Sequence, residues 1–279
     1  MIREETVFGP IFSRRLGSSL GINLLPERGK ICNFDCIYCE CGWNRDGRND
    51  TVLPTAEKVR TDLERKLKEI ENGKLKIENS ADASNNSQFS ILNSQLTKVD
   101  SITFSGDGEP TLNPEFPQII DDTLRLRDQY YPQAKVSVLS NATRVHIPEI
   151  FNALRRVDNP IMKIDAPTNE LVAKINQPAP GYDVNRVIEA LKKFNGDFVL
   201  QTCMLRGNGF DSSSPEVIGP LMDIVRLLKP REWMVYTIDR TTPMQGLEKF
   251  SPQEMKALVK PIIDEGFKVQ IKGAIEDNN

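Results

Sequence analysis

The chain has 279 residues, a net charge of −3 and a pI near 5.5. It therefore lacks the surplus of basic residues that would indicate nucleic-acid binding. Apolar residues make up 39% of the sequence, which is enough for a packed core and excludes a disordered protein. No apolar run approaches the roughly 20 residues that cross a bilayer, and the charged N-terminus lacks the apolar segment of a signal peptide. We therefore expect a cytoplasmic protein with no membrane partner.

Helices and strands are predicted to alternate along the chain. Thr55 precedes a helix whose apolar residues recur at helical spacing as far as Ile70. A capping residue followed by proline predicts further helix starts at Asn113, Ser214 and Ser251. Short apolar segments between the helices predict six strands, at Ser101–Phe104, Lys135–Leu139, Ile161–Ile164, Phe198–Met204, Trp233–Thr237 and Phe267–Ile271.

This alternation indicates an α/β fold with a parallel sheet. Most of the six segments are apolar throughout and do not alternate, as is typical of strands buried on both faces. About six units favour a partial (β/α)6 barrel of the TIM type, and a doubly wound open sheet is the alternative. The polar, Ser/Asn-rich stretch at about 72–96 is predicted to be a flexible insertion in a single domain, 1–279.

Four of the five cysteines lie between Cys32 and Cys41. In a reducing compartment, clustered cysteines are metal ligands or catalysts more often than disulfides. The spacing of Cys32, Cys36 and Cys39 suits a 4Fe-4S cluster, and three thiolates leave one of the four irons open. A structural zinc site normally has four ligands. A redox pair of Cys36 and Cys39 would leave Cys32 unexplained, so we favour the cluster over both alternatives.

The motif Cys-x3-Cys-x2-Cys, with Tyr38 just before the last cysteine, resembles the signature of the radical S-adenosylmethionine (SAM) superfamily. Its wider context, from Phe8 to Gly17 and through Glu40, is similar to the Fe-S oxidoreductases related to tRNA wyosine-base synthases. The resemblance implies that SAM binds at the open iron and is cleaved reductively to a 5′-deoxyadenosyl radical. It also implies an electron donor such as a ferredoxin or a flavodoxin.

Several later motifs would hold the cofactor. The segment Ser105-Gly106-Asp107-Gly108-Glu109 follows a predicted strand and resembles the Gly-Gly-Glu motif of the superfamily, with Asp107 in place of a glycine. Small or polar residues also end or follow three later strands. The resulting cofactor-binding predictions are Tyr38, Gly108, Glu109, Ser140, Asn141, Asp165 and Gln201, and no catalytic residue is assigned.

Each of these predictions has a simpler alternative. Lys163 and Asp165 lie on one face of their strand and would form either a ligand site or a structural ion pair. Cys203 is expected to be an ordinary buried cysteine, and no ligand role is expected for Cys41. His146, the only histidine, is predicted to be structural.

The leading hypothesis is a radical enzyme that acts on an unidentified substrate. The three classes of substrate considered are a small molecule, an RNA and a protein. The alternative from a different class is a non-catalytic iron–sulfur or zinc protein that transfers electrons or serves as a scaffold. The wyosine relatives carry further cysteines before this motif, and none precedes Cys32 here. We therefore regard tRNA wyosine-type modification, and likewise activation of a glycyl-radical enzyme, as less favoured.

Overall fold

The computed structural model describes residues 5–13, 17–27, 29–45, 50–73 and 98–273. The strands are β1 (Val7–Ser13), β2 (Gly17–Ile22), β3 (Ser101–Phe104), β4 (Lys135–Ser140), β5 (Asn159–Lys163), β6 (Val199–Gly207), β7 (Phe210–Asp211), β8 (Glu232–Thr237), β9 (Glu248–Lys249) and β10 (Val269–Lys272). The helices are α1 (Ala56–Glu71), α2 (Phe116–Tyr130), α3 (Pro148–Leu154), α4 (Asn169–Ile175), α5 (Val184–Lys192), α6 (Pro215–Leu228) and α7 (Pro252–Asp264), and a 3-10 turn covers Pro110–Leu112.

One sheet forms the centre of the fold, in the order β1-β2-β3-β4-β5-β6-β8-β10. Every pair from β2 to β10 along this path is parallel, and β1 pairs antiparallel with β2. The order of the strands follows the chain without reversal, whereas a doubly wound sheet would require a reversal of strand order. Within the described ranges β1 and β10 do not pair, so the sheet is open. The predicted partial barrel is therefore confirmed.

All six predicted strands are present, with ends shifted by at most three residues. Thr55 caps α1 by accepting a hydrogen bond from the Lys58 amide, and Ser251 forms a capping box at the start of α7. The prediction for Asn113 was wrong. Its side chain accepts from the Glu115 amide at 2.9 Å, and α2 begins only at Phe116.

The interior of the sheet is packed with large apolar side chains, including Phe104, Phe198 and Trp233, all fully buried. The Trp233 indole nitrogen donates to the Thr202 hydroxyl at 2.9 Å, which satisfies its one polar group. In a barrel of this type the loops at the carboxyl ends of the strands meet on one face. The fold thereby gathers segments that are far apart in sequence at a single site.

The segment 74–97, which includes most of the predicted insertion at 72–96, lies outside the described residues. The prediction of one domain over 1–279 stays a prediction. None of the helices in the described part of the chain combines the length and the apolar character that a membrane span requires.

Candidate cofactor site

A cavity of about 280 Å³ lies at the carboxyl ends of the parallel strands. The predicted site residues in its wall come from four separate stretches of the chain: the cysteine loop, the loop after β3, the end of β4 and strand β6. Nine of the ten predicted site residues line it, namely Cys32, Cys36, Tyr38, Cys39, Gly108, Glu109, Ser140, Asn141 and Gln201. Only Asp165 is not among the lining residues.

Backbone hydrogen bonds to the segment after α4 hold the cysteine loop in place. The Asp35 amide donates to the Asn176 carbonyl at 2.8 Å, and the Ile37 amide to the Ile175 carbonyl at 2.9 Å. Ile37 is fully buried and anchors the loop in the core. The Asn44 side chain donates to the carbonyls of Cys32 and Phe34 at 3.1 and 2.9 Å. The protein thus shapes this loop through its own contacts.

The three thiols differ in acidity. Burial, followed by the charge of Cys36, raises the pKa of Cys32 to about 12. Burial also raises the pKa of Cys36 to about 11. A hydrogen bond from Cys41 lowers the pKa of Cys39 to about 5, with help from the charge of Lys30 and against the effect of burial. These shifts make Cys39 the most acidic of the three thiols.

Lys30 supplies a cation to this group of thiols, and no local pattern in the sequence indicates this role. Its ammonium is buried, donates to the Gly42 carbonyl at 2.6 Å and lies 3.4 Å from Asp35. Burial alone would lower the pKa of Lys30, but the charges of Cys39 and Cys32 outweigh it and raise the pKa. A buried cation here favours the thiolate form of the neighbouring cysteines.

The donor set fits an iron–sulfur cluster. All five cysteines are free thiols. The Phe34 amide and the Asn176 side chain donate to the sulfurs of Cys32 and Cys36 at 3.4 and 3.3 Å, as is common for cluster thiolates. Among the described residues, no three His, Cys, Asp or Glu side chains are arranged to hold a single metal ion. In a cubane each thiolate binds a different iron, so its ligands need not converge on one point.

The order of thiol acidity predicts a selective alkylation pattern in the cluster-free protein. We expect iodoacetamide to modify Cys39 at pH 7, because its folded pKa of about 5 makes it a thiolate there. The Cys39 rate should be flat above pH 6 and fall as the pH drops through 5. Cys32 and Cys36, with pKa values of about 12 and 11, should stay unmodified at pH 7. Peptide mapping by mass spectrometry measures this, with urea-unfolded protein as the control in which all five react. Equal labelling of the three in the folded protein would contradict the order.

Gly108 is required by close contact with the cysteine loop. It has a φ of +140°, and an added Cβ would lie 1.9 Å from the Ile31 carbonyl oxygen. Ile31 and Gly108 form a parallel bridge, and the Glu109 amide donates to that same carbonyl at 3.1 Å. This contact fixes the residue before Cys32 against the loop after β3. Gly108, predicted from its motif, thus serves mainly to let the backbones of the two loops come into contact.

Glu109 ties the loop after β3 to the end of β4. Its carboxylate accepts from the Thr111 hydroxyl at 2.6 Å, the Ser140 hydroxyl at 2.9 Å and the Asn141 amide at 2.7 Å. The residue is buried, and burial raises its pKa against the opposing effect of these hydrogen bonds. Oε2 accepts only the Asn141 amide among the described residues, which leaves it capacity for another donor.

Asp165 supports the wall of the cavity from behind. Its carboxylate accepts from the Tyr38 hydroxyl, from the Asn176 side chain at 2.8 Å and from the Cys203 amide at 2.8 Å. Burial raises the pKa of Tyr38, so the phenol stays protonated as a donor. Asp165 therefore positions Tyr38 in the cysteine loop, and its predicted direct contact with the cofactor has no support in this geometry.

Lys163 does not pair with Asp165. None of the ion pairs formed by the described residues joins the two; the Lys163 ammonium instead donates to the hydroxyls of Tyr38 and Tyr236 at 3.0 and 3.3 Å. Lys163 and Tyr236 both line the cavity. The two side chains instead share the Tyr38 hydroxyl, which accepts from Lys163 and donates to Asp165. The direct ion pair is therefore absent, and the ligand site stays a prediction.

Gln201 lies beside Lys163 in the register of β5 and β6 and lines the cavity. Within the described part of the chain, its amide has one partner, the Met234 sulfur at 3.3 Å. A thioether is a weak acceptor, so the amide remains available to a ligand. Cys203, two residues further along the strand, is fully buried and does not line the cavity, as expected for a packing residue.

Known proteins and a family model are similar to this chain over the segments that form the site. Residues 95–211 match the family model described as the Radical SAM superfamily. The chain is 27% identical over 263 residues to a protein named GTPase Obg of Brachyspira hyodysenteriae, covering 93% of this chain and 34% of that protein. It is 27% identical over 255 residues to a UPF0026 protein of Helicobacter pylori, covering 89% and 71%. This chain thus spans about a third of the first relative, whose name describes that whole protein.

A solved structure shows the same fold at low sequence identity. It is that of TYW1 with a lysine–pyruvate adduct bound, with a TM-score of 0.61 and 13% identity, covering 91% of this chain and 76% of that one. The matching family model begins just before β3 and ends in β7, so it covers Gly108, Glu109, Asn141 and Gln201. The cysteine loop lies on the same cavity as these residues, and the segment 95–211 of this chain is similar to the radical SAM superfamily.

Proposed function

We propose that this chain is an enzyme that holds a 4Fe-4S cluster on Cys32, Cys36 and Cys39 and cleaves SAM reductively to act on a substrate. The observation that carries the proposal is the convergence of the three thiols and the Glu109 network on one cavity. At about 280 Å³ the cavity is close to the smallest pockets that bind small molecules. Bound there, the cluster and SAM together supply a 5′-deoxyadenosyl radical, which abstracts hydrogen.

The protein's own residues would orient the cofactor. Glu109 Oε2 is placed to accept from an ammonium group, and a charge-assisted hydrogen bond of this kind is strong. Lys163 offers a cation on the cavity wall to a carboxylate. Gln201 offers an amide with only a weak partner of its own. These groups match the amino, carboxylate and polar nucleoside parts of SAM.

A non-catalytic iron–sulfur or zinc protein is the weaker proposal. Electron transfer alone would need the cysteine loop, but it would not need the buried carboxylate that joins β3 to β4 or a cavity beside the thiols. Cleavage of SAM requires one electron from outside, so the proposal includes a small donor protein such as a ferredoxin or a flavodoxin.

The lysine–pyruvate adduct in TYW1 raises the question whether a cavity lysine here would form a Schiff base. Such a lysine must lose its proton to act as a nucleophile. The charges of Tyr236 and Asp165 raise the pKa of Lys163 well above its usual value, against the effect of burial. The pKa of Lys30 is raised as well. A protonated pair of lysines gives no support to pyruvate chemistry, and we do not propose it.

Production of 5′-deoxyadenosine tests the proposal. Protein reconstituted with iron and sulfide under anaerobic conditions is reduced with dithionite, mixed with SAM and analysed by chromatography. We expect product from the native chain and none from a Cys32/Cys36/Cys39→Ala variant. A native protein with full iron and sulfide that binds SAM without cleaving it, in the presence of candidate substrates, would favour the non-catalytic proposal.

The role of Gln201 is tested by a substitution with a matched control. Gln201 is buried, so Gln201→Ala leaves space in the cavity wall and should lower the unfolding temperature without unfolding the chain. Loss of one hydrogen bond to SAM should weaken binding by about tenfold, or ~1.4 kcal/mol. Cys203→Ala, on the same strand but off the cavity, should bind SAM as the native protein does. Equal SAM affinity in all three proteins, measured by calorimetry, would remove Gln201 from the cofactor site.

A further inference from the structure

A second cavity, of about 390 Å³, lies outside the cofactor cavity and shares no lining residue with it. Its walls are the loop between β4 and α3, the segment before α5, and α5 itself. Three residues that can carry positive charge line it: Arg144, His146 and Arg186. Leu112 and Val187 add apolar surface to the same wall. The cofactor site described above makes no use of this cavity.

The two arginines are unusual in this protein because they lack carboxylate partners. Neither the Arg144 nor the Arg186 guanidinium makes an ion pair or a hydrogen bond to any residue in the described ranges. Most other arginines there bind carboxylates, as Arg127 does to Asp158 at 2.7 Å and Arg226 to Glu265 at 2.7 Å. Guanidinium groups that share a concave wall and have no anion of their own are suited to a bound anion.

The remaining polar groups of the wall are consistent with an anionic ligand. Asp183 is the one acidic residue that lines the cavity, and its Oδ1 already accepts from the Asn169 side chain at 3.2 Å and the Asn185 amide at 3.0 Å. His146 is held by its Nδ1, which lies 3.0 Å from the Thr143 carbonyl oxygen. This leaves the Nε2 atom of the ring for a ligand.

We propose that this cavity binds the phosphate group of a small molecule through Arg144 and Arg186. A phosphate offers three terminal oxygens and two negative charges. Two guanidinium forks therefore bind a phosphate better than they bind a single carboxylate. The apolar part of the wall would contact the rest of the ligand. A volume of about 390 Å³ is within the range of small-molecule pockets.

A hydrogen-bonded chain links this cavity to Cys32. The Asn33 side chain lines the cavity and donates to the Thr143 hydroxyl at 2.6 Å. The Asn141 side chain donates to Asn33 Oδ1 at 2.6 Å and lies 3.8 Å from the Cys32 sulfur. A ligand in the second cavity would therefore contact Asn33, which is connected through Asn141 to the Cys32 sulfur by two hydrogen bonds.

Calorimetric titration of the cluster-free full chain tests the binding site without requiring the cluster or SAM. The probes are inorganic phosphate, pyrophosphate and malonate, each up to about 10 mM. We expect saturable one-to-one binding of phosphate or pyrophosphate, weakened at least about tenfold in Arg144→Gln/Arg186→Gln. Arg60→Gln, an exposed arginine on α1, is the matched control and should bind as the native chain does.

The unfolding temperature of each variant checks that the double substitution leaves the fold intact, as expected at half-buried and exposed positions. Absence of saturable binding by the native chain, or equal binding by the double variant, would overturn the proposal. Malonate binding as tight as that of phosphate would overturn its assignment to a phosphate. None of these results depends on whether the chain cleaves SAM.

Discussion

Replacing any one of Cys32, Cys36 and Cys39 with alanine is expected to abolish formation of 5′-deoxyadenosine. A cubane held by three protein thiolates has no spare ligand among them, so each loss frees an iron. Substitution of residues that only orient a metal ligand typically costs 10- to 100-fold, and loss of a ligand itself should exceed about 100-fold. Iron and sulfide content should fall together with activity.

Cys203→Ala is the matched control for this series. Cys203 is fully buried and lies off the cavity, so its loss should leave the iron content and the product yield within about twofold of the native chain. Iron analysis and chromatography measure both quantities on the same samples. A single cysteine variant of the motif that kept full iron and full activity would show that its thiol is not a ligand.

Gly108→Ala should destabilise the protein and disturb the site at the same time. The new Cβ would lie 1.9 Å from the Ile31 carbonyl oxygen in a residue whose φ is +140°. Backbone strain of this kind costs ~1–3 kcal/mol, and relief of the clash must move the backbone beside Cys32. We expect a loss of about 3 kcal/mol or more in the free energy of unfolding, with reduced retention of iron.

Gly209→Ala separates the clash from the conformational cost. Gly209 also has a positive φ, of +67°, but an added Cβ there meets no atom within 4 Å. Its substitution should cost only ~1–2 kcal/mol and leave the iron content unchanged. Denaturant unfolding curves give both values. Equal losses in the two variants would show that contact with Ile31 does not require glycine at position 108.

The sequence was sufficient for the parts of the site that depend on local spacing. Three thiols within eight residues can reach one centre whatever the rest of the fold does. Short apolar segments that alternate with capped helices predict six parallel strands. Parallel strands in turn place Glu109, Asn141 and Gln201 on a common face. The β1–β2 hairpin is not predicted, because the residues from Phe8 to Gly17 do not alternate as a strand pattern requires.

The remaining features depend on contacts between residues that are far apart in the chain. Lys30 is significant because folding places its ammonium among the thiols, which no local pattern predicts. The position of Asp165 at a strand end predicts a cofactor contact. In the fold its carboxylate accepts a hydrogen bond from the hydroxyl of Tyr38, which is 127 positions away in the chain. The role of Gly108 likewise depends on Ile31, which comes from a different part of the chain.

Electron paramagnetic resonance of the reconstituted, dithionite-reduced protein, with and without SAM, tests the central claim most directly. If three cysteines hold a 4Fe-4S cluster with one iron open, the spectrum of a reduced cubane should appear and its g values should change when SAM is added. Zinc in place of iron, or a cluster spectrum that SAM leaves unchanged, would contradict the claim.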